Sequence, residues 1–108
     1  MKQLLLIVTI LSITTPNGAQ DTVTPGEQEA LVWDTGDFRF HYLLFLPADY
    51  GADPNRRWPL IFFHHGSGQR GSDANRVKVH GPPEIVEENS DFPFIVLSPQ
   101  LPLGDTYS

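Results

Sequence analysis

The run Trp58-Pro59-Leu60-Ile61-Phe62-Phe63-His64-His65-Gly66-Ser67-Gly68 constrains the fold more than any other part of the chain. Its apolar residues are too few for a helix and rich in aromatic and β-branched types, so residues 60–64 read as a short strand, apolar on both faces. Such strands belong in sheets that helices cover from both sides. The strand stops abruptly at a glycine-rich loop, the place where open α/β sheets turn backbone N–H groups towards a ligand. An absence constrains the chain as firmly: no Gly-x-Ser-x-Gly occurs in its 108 residues.

The neighbouring segments support the same class. Residues 30–33 and 38–46 alternate or are continuously apolar, and Asp34-Thr35-Gly36-Asp37 between them has hairpin-turn chemistry. A period of two puts Phe38, Phe40, Tyr42, Leu44 and Leu46 on one face of the second strand and Arg39, His41, Leu43 and Phe45 on the other. Residues 47–57 form a loop and residues 66–74 hold no regular structure, with a helix near 75–80. Pro82 and Pro83 then open a helix through residues 84–88, whose early acids favour its amino-terminal dipole. Asp91-Phe92-Pro93 stops it, and residues 94–97 make another apolar strand ending at Ser98-Pro99. Hairpin, strand, helix, strand describes an α/β sheet whose first strands are antiparallel and whose later ones are parallel.

Residues 1–19 carry Lys2, an apolar stretch over 4–13 and small residues at Gly18 and Ala19. This is the layout of a secretory signal peptide cleaved near Ala19, and the apolar stretch is too short to span a bilayer as a helix. The chain is therefore expected to be exported, periplasmic or extracellular, with no stable membrane anchor. Residues 20–29, polar with Pro25 and Gly26, read as a flexible lead-in, and residues 30–108 as the ordered portion. With Lys2 removed, six basic residues face thirteen acidic ones, a net charge of −7 that disfavours nucleic acid as a partner. The absence of cysteine excludes disulfides, thiolate metal sites and thiol nucleophiles.

Four blocks in order, Tyr42-Leu43-Leu44-Phe45-Leu46-Pro47, residues 58–68 as quoted above, His80-Gly81-Pro82-Pro83, and Asp91-Phe92-Pro93-Phe94-Ile95-Val96-Leu97-Ser98-Pro99-Gln100, carry a resemblance. Together they resemble the front of secreted α/β-hydrolases of the phospholipase/carboxylesterase-like group, often labelled predicted peptidases. That group is related to polyhydroxybutyrate depolymerase-like and carbohydrate esterases. The likeness covers roughly residues 38–108, most of the mature chain. It implies an incomplete α/β-hydrolase fold: the antiparallel hairpin, the first parallel strands and a covering helix, truncated before the nucleophile elbow.

The resemblance also implies a chemistry. Ester hydrolysis passes through a tetrahedral oxyanion, and α/β-hydrolases stabilise it with one N–H after the nucleophile and another from the loop after the third strand. Carried onto this sequence, the loop donor is the backbone N–H of Ser67. Gly66 and Gly68 are expected to let the backbone turn sharply and approach substrate, His65 to fix the loop by hydrogen bonds, and Arg70, Gly71 and Asp73 to support it. From the residues alone, Arg70 and Asp73 are either a pair across the loop that holds it open or closed, or a solvated surface pair. The nucleophile, acid and base of the triad are absent from the chain, and no cofactor or metal is implied. The full-length protein would be a serine hydrolase of small-molecule, carbohydrate or polymer esters, and this chain alone would be inactive.

His64 departs from the family's usual aliphatic residue and makes a His64-His65 pair. Alternation sends adjacent strand residues to opposite faces, which is poor geometry for chelating one metal. Ser67 and Ser72 are no nucleophiles, lacking both the motif and an assignable base. Glu84, Glu87 and Glu88 read as one helix face, and Tyr42, Trp58 and Phe62 as core. Two other readings use the same residues: a short exported binding module with a vestigial loop, and a small metalloprotein built on His41, His64, His65 and His80.

Overall fold

The computed structural model describes residues 13–14, 20–21 and 23–103. Its strands are β1 (Ile13–Thr14), β2 (Gln20–Asp21), β3 (Gln28–Asp34), β4 (Arg39–Phe45), β5 (Leu60–Phe62) and β6 (Ile95–Gln100). One short α-helix, α1 (Gly81–Val86), and two 3₁₀ segments, Ser67–Gln69 and Ala74–Val79, lie between β5 and β6. β1 and β2 pair with each other; the rest of the expected signal peptide lies outside the described residues.

The other four strands form a mixed sheet in the order β3-β4-β6-β5. β3 and β4 are the expected hairpin, with Leu31 opposite Tyr42 and Asp34 opposite Arg39. Its turn is closed by Asp34 Oδ1, which accepts the Gly36 N–H at 2.9 Å. Gly36 there has φ +92°, a conformation open to glycine. β4 runs antiparallel to β6, and β6 parallel to β5. This is a mixed α/β sheet. Its geometry brings the start of β4, the end of β5 and the end of β6 to one end of the sheet.

Alternation along β4 builds a separate core on each side. Tyr42 and Leu46 pack with Val23 and Leu31, flanked by Phe40, Leu44, Tyr50, Ile95 and Leu97. On the other face Leu43 meets Ala74 and Val77 of the second 3₁₀ segment. Phe45 there meets Val96 and Val86 of α1. Each fully buried Leu or Phe contributes roughly 1.5–3 kcal/mol.

Several boundaries differ from the sequence reading. Order begins before residue 30, because Val23 is buried against Leu31, Tyr42 and Leu46, and the Gly26 N–H donates to Leu46 O at 2.7 Å. Gln28 is already in β3 and its Nε2 donates to Pro83 O at 2.9 Å, tying the hairpin to α1. The helix ends at Val86, where tightened bonds from Glu87 and Glu88 close it as a turn. β6 continues through Pro99 to Gln100 because β4 goes on pairing with it beyond the end of β5.

β5 is the largest departure. It has three residues, and only Ile61 faces a core; Leu60 and Phe62 are 58% and 52% exposed. The strand lies at the sheet's edge and its second face has no covering helix among the described residues, so Phe62 is no core residue. Tyr42 is core, whereas Trp58 is half-buried beneath the Arg56 guanidinium, 3.5 Å from the ring centroid.

Candidate functional site

The chain leaves β5 through Phe63, whose N–H extends the parallel ladder by donating to Leu97 O at 2.9 Å. His64 then points back beside Phe62, ring centroids 4.9 Å apart, and is exposed, while His65 turns inward and is 5% exposed. The adjacent histidines thus occupy opposite sides. Gly66 is extended, with φ −79° and ψ 170°, and opens the 3₁₀ turn Ser67–Gln69.

His65 and the end of β6 hold this loop together. The Leu101 N–H donates to His65 Nε2 at 2.9 Å, so that nitrogen carries the lone pair and the proton sits on Nδ1, which donates to Gly66 O. Gln100, 1% exposed, uses both hydrogens of Nε2, donating to Gln69 O and Asp73 O at 2.8 Å each. The Gly71 N–H donates to Leu101 O at 2.9 Å. Arg70 Nε donates to Ser67 O at 3.0 Å and Arg76 Nη2 to Gly68 O at 3.2 Å. Asp73 Oδ1 accepts the Asn75 N–H at 3.0 Å and caps the next 3₁₀ segment.

These bonds polarise the loop. The carbonyls of Gly66, Ser67, Gly68, Gln69 and Asp73 all accept hydrogen bonds, whereas the N–H groups of Ser67 and Gly68, at the opening of the 3₁₀ turn, have no acceptor among the described residues. Both residues are exposed. Two adjacent N–H groups on an anchored loop can stabilise an anionic oxygen, because their dipoles need no reorientation as charge develops.

The glycines divide the work differently from the expectation. Gly66 has an ordinary φ and a side chain at Gly68 would meet nothing within 4 Å, so neither position requires glycine for a sharp turn. Gly71 does, at φ +144°. Arg70 and Asp73 each serve the backbone, one on the Ser67 carbonyl and the other as the helix cap. Gln100, Leu101 and Arg76 were absent from the sequence-derived site. Gln100 was detectable: alternation along β6 puts Val96, Ser98 and Gln100 on the covered face, where a glutamine needs partners.

The four histidines are dispersed. His65 is buried in the loop, His64 lies on the opposite side, His41 is half-buried on β4, and His80 stands exposed before α1. Among the described residues no group of three or more His, Asp or Glu side chains is placed to hold a metal ion. Nor is any helix among them long and apolar enough to cross a membrane.

The fold has a solved counterpart. The chain is similar to a thermostable esterase, with a TM-score of 0.53 and 24% sequence identity, over 91% of this chain and 30% of that one. The two share a fold. The chain spans about 30% of the length of that esterase. No family model and no curated protein matches the sequence.

Proposed function

We propose that this chain is the amino-terminal part of an exported serine esterase with an α/β-hydrolase fold. Its loop after β5 supplies one oxyanion donor, the Ser67 N–H. The observation that carries the reading is the loop's polarity: every carbonyl from Gly66 to Gln69 is tied down while the Ser67 and Gly68 N–H groups, at the carboxyl end of a parallel strand, find no acceptor among the described residues. The strand order β3-β4-β6-β5 and the likeness to a thermostable esterase support the fold. The resemblance of residues 38–108 to secreted carboxylesterase-like proteins supports the reaction class.

In this reading the nucleophilic serine, an acid and a histidine base belong to a part of the domain that follows β6. The serine attacks the ester carbonyl, the histidine takes its proton, and the carbonyl oxygen, now negative, moves into reach of the Ser67 N–H. One such donor is worth about 3–4 kcal/mol in the transition state. His65 and Gln100 act as positioning residues, holding the donor where the charge appears. The half-exposed Leu60 and Phe62 and the free edge of β5 fit a sheet that gains another strand and a covering helix.

The reading frame beyond the Ser108 codon tests this proposal. A frame that continues into Gly-x-Ser-x-Gly, then an acid, then a histidine supports it. A stop codon at that point contradicts it and leaves a short exported binding module.

A further inference from the structure

On the same end of the sheet, beside the anchored loop, Arg39, Phe40 and His41 of β4 face Gly71, Ser72 and Pro102 across a cleft of about 380 Å³. That volume suits a small organic ligand. Thirteen of the chain's residues are acidic, yet none of the six lining ones is. The cleft is set apart from the rest of the surface by its donors.

Among the described residues these side-chain donors make no hydrogen bond. Arg39 Nε lies 4.0 Å from Asp34 Oδ2, at the limit of an ion pair, and the terminal Nη groups make no hydrogen bond among the described residues. Among the described residues neither ring nitrogen of His41 is hydrogen-bonded, and the Ser72 hydroxyl is likewise without a partner. Asp34 is itself partly occupied, its other carboxylate oxygen accepting the Gly36 N–H. The residues that bear the guanidinium, the imidazole and the hydroxyl all line this one space, with Pro102 as an apolar wall, while the Phe40 ring packs on the other face of β4. A guanidinium with both Nη groups free matches a carboxylate in two parallel hydrogen bonds.

The wall opposite Arg39 is fixed. The Gly71 N–H is held by Leu101 O at 2.9 Å, and Gln100 grips the loop on both sides of Gly71 and Ser72, at Gln69 O and Asp73 O. Gly71 has φ +144° and so presents bare backbone. The cleft is preformed, which lowers the entropy cost of filling it.

We infer that this cleft binds a small carboxylate with an apolar body, the carboxylate on Arg39 with His41 and Ser72 beside it, and the body against Pro102. The site stands independently of the oxyanion reading, since it requires no nucleophile.

The test is a titration of the ¹⁵N-labelled chain with sodium benzoate at constant ionic strength, followed by amide and imidazole chemical shifts. Saturable shifts at Gly71, Ser72 and His41, weakened at least tenfold in affinity by Arg39→Gln and less by Arg39→Lys, are expected. Benzamide, the neutral isostere, should shift the same resonances weakly. The absence of saturable shifts, equal affinity in Arg39→Gln, or equal affinity for benzamide would overturn the proposal and make the cleft a solvated groove.

Discussion

The main-chain N–H of Leu101, just past β6, donates to Nε2 of His65, just past β5, at 2.9 Å. Two parallel strands are thereby tied together beyond the end of their ladder, and the tie fixes where the glycine loop begins.

Replacing His65 by alanine leaves the Leu101 N–H without its acceptor, while Gly66 O retains the Gln69 N–H. One buried orphan donor costs about 1–3 kcal/mol. His65→Ala should lower the urea midpoint accordingly, and His65→Gln, whose amide can both accept and donate, should recover part of the loss. Equal midpoints for all three chains would show that the tie contributes nothing.

Gln100 permits a prediction with a definite pH sign. Gln100→Leu orphans Gln69 O, at about 1–3 kcal/mol, while Asp73 O keeps the Arg76 N–H. Gln100→Glu places a carboxylate against two carbonyl oxygens, so folding favours its protonated form and raises its pKa. Below the ordinary glutamate pKa of about 4.3 both states are protonated and the penalty is absent. As pH rises past that value the unfolded state ionises first and stability falls. Urea midpoints at pH 4 and pH 7.5 should therefore diverge from wild type only at the higher pH.

Two glycines should respond in opposite ways. A Cβ at Gly81 would lie 2.8 Å from Phe63 Cε1, and the backbone there has φ +62°. Gly81→Ala should destabilise the chain by about 2–4 kcal/mol, from strain and overpacking together. Gly68→Ala meets open space at ordinary φ and should stay within about 0.5 kcal/mol of wild type. Thermal unfolding of the two variants separates these outcomes.

The faces of the parallel strands should be unequal too. Val96 is fully buried with Phe45 and Val86, so Val96→Ala should cost about 2 kcal/mol. Phe62 is 52% exposed on the edge strand, and Phe62→Ser should cost less than about 1 kcal/mol while raising solubility. A larger loss at Phe62 than at Val96 would mean that the second face of β5 is covered.

The hairpin, the two faces of β4 and the parallel pair β5 and β6 were legible in the sequence, because period-two alternation and turn residues act locally. What lay hidden depends on distance. Nothing near Leu60 reveals that it sits on an open face, since an apolar strand looks the same whether or not a neighbour covers it. The 3₁₀ form of residues 74–79 arises from Asp73 capping and the packing of Ala74 and Val77 on Leu43. The loop's glycine motif was visible, but its anchoring by Gln100 joins residues 27 and 31 positions apart, beyond any local pattern.

The most direct test of the oxyanion role is to delete one hydrogen atom. Ser67 is the first residue of the 3₁₀ turn and follows an extended Gly66, a position that accepts proline, which lacks the N–H. Hydrolysis of 4-nitrophenyl acetate would be measured in the polypeptide translated from the complete reading frame, as wild type, Ser67→Ala and Ser67→Pro. Ser67→Ala is expected to stay within about twofold of wild type while Ser67→Pro, still folded, loses about 10²–10³ in kcat. No hydrolysis by the wild type, or a Ser67→Pro chain as fast as wild type, would contradict the oxyanion role.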